Sequence, residues 1–380
     1  MTRPTVLAYY FPDWHADPRN ARWFGDGWDE WKLLRDARPR FEGHRQPRIP
    51  ATGYRDESDP ANAEEDIALA AAHGVDGFLV DYYWYEDGPY LSGALDEGLL
   101  RARNSEEMVF ALMWANHELV DIFPYADPGQ DDARRLENGA IGRAAFERMV
   151  DHIIEHYFRR PNYLRVEGRP WFSIYEIGGL IEGLGGVDET VDALRWFRSR
   201  VVDAGFVGLH LDAVVWGFGV LPTAIAVDDP ASLLRLLEVD SGTSYVWVHH
   251  TDVDTYDFPR GDVQRLQDEA FADYERLRAE LPMPFHPNVT VGWDSSPRTA
   301  QDVAFVRGRY PFTPVWDQTP EEFEVALRRA KSFIEEQPTP FPVLTVNAWN
   351  EWTEGSALLP DRDRGTRYLE AIRQVFGAGE

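Results

Sequence analysis

Apolar residues along the chain fall into two rhythms. Short runs rich in β-branched and aromatic residues occupy 5–11, 75–84, 108–115, 170–176, 207–216, 243–248, 288–293 and 342–349. Each is almost continuously apolar, as expected of a strand covered on both faces in a parallel sheet. Between these runs the period becomes helical. Phe146, Met149, Val150, Ile153, Ile154 and Tyr157 form one stripe, and Val263, Leu266, Ala270, Tyr274, Leu277 and Leu281 form a second. Leu91, Leu95 and Leu99 mark a third, and Phe323, Leu327, Ala330 and Ile334 a fourth. Asp59-Pro60 and Thr319-Pro320 each place a capping side chain before a proline at the first helical position, and Glu322 completes a capping box with Thr319. Helices near 60–73, 187–204, 229–238 and 364–376 fill the remaining gaps.

Eight strands alternating with eight helices predict an α/β fold with right-handed crossovers. The simplest form is a closed (β/α)8 TIM barrel, one domain over residues 1–380; an open doubly wound sheet is the alternative. No G-x-G-x-x-G follows the first strand, which weakens a dinucleotide-binding version. A barrel carries its functional residues behind the C-terminal ends of the strands. The longest connections there follow strand one (12–59), three (117–142), six (249–262) and seven (294–318), and long structured loops usually carry function.

Composition narrows the chemistry. The 380 residues include no cysteine, which excludes disulfides, thiolate metal sites and cysteine nucleophiles. With 38 basic and 65 acidic residues the net charge is −27, a field that repels phosphate backbones and anionic lipid. Neither a nucleic-acid nor a membrane partner is expected, and nothing calls for an obligate protein partner. Lys32 and Lys331 are the only lysines, whereas tryptophans number 14, a balance suited to a neutral polar ligand. No run approaches 18 apolar residues, and Met1-Thr2-Arg3-Pro4 leads straight into the first strand without a signal-peptide pattern. The expectation is a cytoplasmic protein, with a secreted mature form as the alternative.

The eighth strand ends in Val346-Asn347-Ala348-Trp349-Asn350-Glu351-Trp352-Thr353-Glu354-Gly355. Glu351 and Glu354 are the candidate catalytic pair. Three extended residues span at most roughly 10–11 Å. That range admits the roughly 5–5.5 Å of retaining glycosidases and the roughly 6.5–9.5 Å of inverting ones, so spacing leaves the stereochemistry open. Other strand ends supply candidate contacts to an oligo- or polysaccharide: Tyr10, Asp13 and His15 after strand one, and Asp81, Tyr83 and Trp84 after strand two. Trp114, Asn116 and Glu118 follow strand three, Glu176 strand four, Trp216 strand five, Trp293 and Asp294 strand seven, and Asn350 and Trp352 strand eight. Aromatic faces stack on sugar rings, and polar groups among them fix orientation. His249 and His250 are adjacent and in extended chain point to opposite faces, H-E-x-x-H is absent, and so are G-x-S-x-G and a P-loop. No metal and no organic cofactor are expected.

The chain resembles the WbsX-type domain, grouped with glycoside hydrolase family 99-like proteins. The carriers are Ala8-Tyr9-Tyr10-Phe11-Pro12, Gly27-Trp28-Asp29-Glu30-Trp31, Gly43-His44-Arg45-Gln46-Pro47, Gly74-Val75-Asp76-Gly77-Phe78, Trp114-Ala115-Asn116, Tyr163-Leu164-Arg165-Val166-Glu167-Gly168-Arg169-Pro170, Gly292-Trp293-Asp294 and the Asn347–Gly355 segment. The resemblance implies a (β/α)8 barrel and action on α-linked glycans, often endo-acting and mannose-directed. It further implies that Glu351 removes the sugar 2-hydroxyl proton, giving a 1,2-anhydro intermediate, and that Glu354 protonates the leaving oxygen and then activates water. This chain departs from the family pattern at His117, where Glu is common, and at Leu358-Leu359-Pro360-Asp361, where Glu-Pro usually stands. The rival expectations are a glycosyltransferase or transglycosylase of polysaccharide biosynthesis, and a carbohydrate-binding barrel without catalysis.

Overall fold

The computed structural model describes residues 3–121, 123–129, 134–215, 229–336 and 338–377. Eight parallel barrel strands follow the predicted runs: β1 (Thr5–Tyr10), β2 (Gly77–Tyr85), β3 (Val109–Trp114), β4 (Arg169–Ile174), β5 (His210–Val214), β6 (Ser241–Thr243), β7 in two pieces (Phe285–His286 and Asn288–Thr290) and β8 (Val343–Asn347). They lie in the order β6-β5-β4-β3-β2-β1-β8. The two pieces of β7 close the ring: Phe285 pairs with Gly242 of β6, and Asn288 pairs with Thr345 of β8. Pro287 between them has no N–H to donate, but its carbonyl accepts from the Thr345 amide at 3.1 Å. The fold is the (β/α)8 barrel that the alternation predicts.

Two helices sit in the first long connection, α1 (Pro18–Phe24) and α2 (Trp31–Asp36). The outer layer is α3 (Pro60–Ala72), α4 (Arg143–Ile153), α5 (Ile177–Leu184), α6 (Val187–Asp203), α7 (Pro230–Leu236), α8 (Val263–Glu280), α9 (Pro320–Glu336) and α10 (Arg367–Phe376). The capping signals form as expected. Asp59 accepts from the Ala61 amide at 2.9 Å, and the Thr319 amide donates to Glu322 Oε2 at 2.8 Å while the Glu322 amide donates to Thr319 Oγ1 at 3.2 Å. No helix among the described residues is long and apolar enough to cross a membrane.

Two elements differ from expectation. The leucine stripe after β2 forms a π turn (Ala94–Gly98) and a 3-10 turn (Leu99–Arg101) in place of a regular helix, with Gly98 packed so closely on the Glu57 carbonyl that a Cβ there would clash with it. The expected strand 243–248 survives only at its start. Trp247–His250 is a 3-10 turn, in which the Trp247 amide bonds to Thr290 Oγ1 at 3.0 Å in place of a ladder partner.

Alternation along the strands sorts side chains between lumen and outer shell. Tyr9 points inward, its hydroxyl donating to the Ser244 carbonyl at 3.1 Å, whereas Tyr10 packs outward on Phe78 with ring centroids 5.1 Å apart. On β2, Asp81 and Tyr83 face the lumen while Tyr82 and Trp84 meet Tyr157 and His152 of the helical layer. The lumen is polar lower down. Asp212 accepts from Ser173 at 2.6 Å and from Ser241 and Thr243 at 2.8 Å, and burial pushes its carboxyl up to about 7.

Candidate active site

Behind β8 the chain makes a small hairpin. Asn350–Glu351 pairs antiparallel with Ser356–Ala357 around a 3-10 turn at Trp352–Glu354. Gly355 ends the turn at φ +69°, and a Cβ there would lie 2.6 Å from Asp294 Cβ and 2.8 Å from Asp294 N. Only glycine combines that conformation with that approach. The Asp294 amide thereby donates to the Glu354 carbonyl at 2.6 Å, and Arg48 Nη1 donates to the Gly355 carbonyl at 2.6 Å. The turn carries Glu351 at its start and Glu354 at its end, and both side chains are buried.

One guanidinium joins them. Arg298 Nη1 lies 2.5 Å from Glu354 Oε1, its Nη2 lies 3.8 Å from Glu351 Oε1, and its Nε donates to Glu30 Oε1 at 2.9 Å. The arginine is held between the rings of Phe11, at 5.5 Å, and Phe123, at 5.3 Å. Tyr310 adds a hydrogen bond to Glu354 Oε1 at 2.7 Å, and Thr353, between the two glutamates, donates to Glu30. Glu351 Oε2 lies 2.9 Å from the Tyr245 hydroxyl and 3.4 Å from Asn347 Nδ2. The Tyr245 hydroxyl also lies 3.0 Å from Asp81 Oδ2. Burial, reinforced by the charge of Glu354, holds the Glu351 carboxyl well above the usual range, and burial does the same to Asp81. Aromatic rings wall the space: Tyr245 packs on Tyr9 at 4.6 Å and on Tyr175 at 5.3 Å, and His117 meets Tyr83 at 5.8 Å and Tyr175 at 5.7 Å.

Of the residues the sequence singles out, the structure brings Glu351, Glu354, Asp81 and Tyr83 together, with Asp294 at the edge. Asp294 accepts from His44 at 2.8 Å and Gln46 at 2.7 Å; these bonds outweigh burial and hold its carboxyl well below the usual range. Asp13 stands one step back. It accepts from Asn20 at 2.8 Å, and burial together with Glu30 raises its carboxyl.

The others have different surroundings. Tyr10 and Trp84 face the helical layer, as does Trp114, which packs on Phe146 at 6.0 Å. His15 covers Gly93, and Trp352 leans toward Trp31 at 6.4 Å. Asn116 ties β3 to β4 through the Glu176 amide at 2.8 Å and carbonyl at 2.6 Å, and Glu176 caps α5 through the Gly178 amide at 2.8 Å. Asn350 clamps both polar groups of Phe11 at 2.8 Å and reaches Glu57 at 2.7 Å. Glu118 is half-exposed and pairs with Arg135 at 2.7 Å, and Trp293 donates to Thr313 at 2.9 Å. Trp216 lies outside the described residues.

The site also contains residues that sequence reasoning passed over, Glu30, Tyr245, Arg298 and Tyr310, with the strand-end residues Tyr9 and Tyr175 beside them. Glu30 lies inside the Gly27–Trp31 motif, and Arg298 and Tyr310 inside the long 294–318 connection, so the signals were present without a role. His249 and His250 lie on a 3-10 turn, not an extended strand, and still diverge. His250 bonds Asp273 of α8 at 2.7 Å, while His249 lies over Tyr245 at 6.2 Å. Among the described residues no three of His, Asp and Glu are grouped so as to hold a metal ion.

Comparison with known proteins agrees with the fold. A solved "Glycoside hydrolase-like protein" superposes with a TM-score of 0.63 at 13% identity, over 100% of this chain and 95% of that one. The GH99 endo-alpha-mannosidase from Bacteroides thetaiotaomicron superposes at 0.56, also with 13% identity, over 98% of this chain and 96% of that one. In sequence, the "Uncharacterized protein WxcX" of Xanthomonas campestris pv. campestris is 29% identical in strain B100 and 30% in strain ATCC 33913, over 98% of this chain. This chain spans about half the length of those relatives, 49% in each case. Residues 6–372 match the family described as Glycosyltransferase WbsX, and the chain belongs to that family.

Proposed function

We propose that the chain is one catalytic domain that hydrolyses an α-linked oligo- or polysaccharide with Glu351 and Glu354. The observation that carries this reading is the shared arginine: two buried carboxylates on one turn, both within reach of Arg298, at the C-terminal mouth of a barrel walled by tyrosines. The barrel's likeness to an endo-alpha-mannosidase makes mannose-type α-glycans the first substrates to try.

In this scheme Glu351 takes the proton of the sugar 2-hydroxyl as that oxygen closes on C1. The C1 bond to the leaving oxygen breaks, and the leaving oxygen takes a proton from Glu354. Water then attacks C1, giving its proton to Glu354, while the 2-oxygen leaves C1 and recovers its proton from Glu351. Each carboxyl ends as it began, and two displacements at C1 retain configuration. Glu354 can carry its proton on Oε2 while Oε1, then a carbonyl oxygen, still accepts from Arg298 and Tyr310.

The rival reading, transfer from a nucleotide sugar, takes support from the family's description. It is disfavoured because Arg298 is buried and its N–H groups are already bonded to Glu30 and Glu354, leaving it poorly placed to bind a diphosphate. The test is incubation of the purified protein with α-mannans, bacterial exopolysaccharides and aryl α-glycosides, with Glu351→Gln and Glu354→Gln as controls. Cleavage lost in both variants supports the proposal. Glycosyl transfer from a nucleotide donor, or glycan binding without cleavage that survives both substitutions, overturns it.

A further inference from the structure

The Tyr245 hydroxyl carries one proton but lies within hydrogen-bond reach of two carboxyls, Asp81 Oδ2 at 3.0 Å and Glu351 Oε2 at 2.9 Å. A single proton can be donated to only one of them. For both contacts to be bonds, the other carboxyl must itself be protonated and donate to the phenol oxygen. The pair therefore holds one proton more than two carboxylates would. All three side chains are buried, so bulk water offers no easy alternative partner.

The surroundings decide which acid holds it. Glu351 has two further donors nearby, Asn347 Nδ2 at 3.4 Å and Arg298 Nη2 at 3.8 Å, and both favour its charged form. Among the described residues no cation contacts Asp81, and its Oδ1 is buried without a hydrogen-bond partner. The charge of Glu354 works against ionised Glu351, but with Glu354 carrying the proton that the hydrolase reading gives it, the remaining partners favour the negative charge on Glu351 over Asp81.

We propose that Asp81 holds a proton and, by donating it to the Tyr245 oxygen, directs the Tyr245 hydroxyl onto Glu351, which is thereby kept as the ionised proton acceptor of the reaction. This deepens the hydrolase reading and rests on it for its catalytic meaning. The chain runs Asp81 carboxyl, Tyr245 hydroxyl, Glu351 carboxylate, all donating in one direction. No proton is gained or lost by Asp81 during turnover. Asp81 is a positioning residue, acting through Tyr245 on the group that meets the sugar.

The assignment is tested first by infrared spectroscopy of the wild type and Asp81→Asn at neutral pH, each prepared with carboxyl-13C aspartate or carboxyl-13C glutamate. Other buried acids contribute equally to both proteins and cancel in the difference spectrum. The expected result is loss of a protonated carboxyl band that shifts with the aspartate label. Loss of an ionised aspartate band instead, or of a protonated band that follows the glutamate label, overturns the assignment. This readout needs no turnover, so failure to cleave any glycan sinks the hydrolase reading separately.

With an active substrate, Tyr245→Phe and Asp81→Ala should each lower kcat about 10- to 100-fold, the worth of one hydrogen bond to a charged group, with a smaller change in KM. Asp81→Asn should recover most of the Asp81→Ala loss, since its amide N–H can donate to the same phenol oxygen. An Asp81→Asn enzyme as impaired as Asp81→Ala would show that Asp81 works as an anion, against the proposal.

Discussion

Arg298 and Glu354 meet at 2.5 Å, Nη1 to Oε1, with both side chains buried. The same guanidinium bonds Glu30 from the far side, so the cation sits among carboxylates that have little water to fall back on. Breaking such a group by removing one partner leaves the others stranded, at a cost of roughly 3–5 kcal/mol. Arg298→Leu should lower the urea-derived stability by that order. Arg298→Lys should recover only part of it, because an ammonium cannot fork to Glu30 and Glu354 at once. A loss below about 1 kcal/mol, the scale of exposed pairs, would mean the cluster is wetter than described.

The two glutamates should separate by leaving group. If Glu354 protonates the departing oxygen, Glu354→Gln should cost about 10²- to 10⁴-fold on a natural glycan and much less on an activated aryl glycoside. Glu351→Gln should impair both alike. Measuring kcat/KM on the two substrate types checks the assignment, and equal losses for Glu354→Gln would remove it.

Asn350 is expected to matter for stability and not for sugar binding. Its side chain holds the Phe11 amide and carbonyl and Glu57, all in the interior. Asn350→Ala should therefore cost about 1–3 kcal/mol per stranded group. A KM that rises sharply while the melting temperature stays put would return Asn350 to the list of sugar contacts.

Asp212 makes a pH prediction with a definite sign. Its carboxyl titrates near about 7 in the folded chain, against about 3.9 in an unfolded one. Between those values the native state binds the extra proton, so this residue's contribution is full below about 3.9 and is lost as pH rises toward about 7. His210, pushed down to about 4 by burial, and His286, pushed down to about 3, act in the opposite sense, since they must charge on unfolding as pH falls. The comparison is thus between wild type and Asp212→Asn. The stability difference, read from urea midpoints, should shift in favour of Asp212→Asn as pH goes from 4 to 8. A pH-independent difference would contradict the burial argument.

The barrel was readable because most of its strands are nearly continuous apolar runs buried on both faces, and the same property hid which face each residue takes. Tyr9 and Tyr10, or Tyr83 and Trp84, are equally aromatic, yet one of each pair faces the lumen and the other the helices. Single-residue parity decides this, and a continuously apolar run carries no parity signal. Glu351 and Glu354 were legible as a pair on one short turn. Arg298, Tyr310 and Tyr245 were not, because they arrive from connections 40 or more residues away and their place depends on loop packing rather than local pattern. Strand six differs from the 243–248 expectation because Tyr245 and Trp247 look like strand residues, although the Trp247 amide bonds to the Thr290 side chain in place of a ladder partner.

The hairpin at 350–357 has a consequence for how this scaffold can change. Both glutamates are fixed by a few residues of local backbone, pinned at Gly355 against Asp294. The 12–59 connection contributes Glu30 and the 117–142 connection the Phe123 ring, but neither supplies Glu351 or Glu354. On the hydrolase proposal, substitutions in those two loops can reshape the walls of the site while the hairpin keeps the mutual geometry of Glu351 and Glu354.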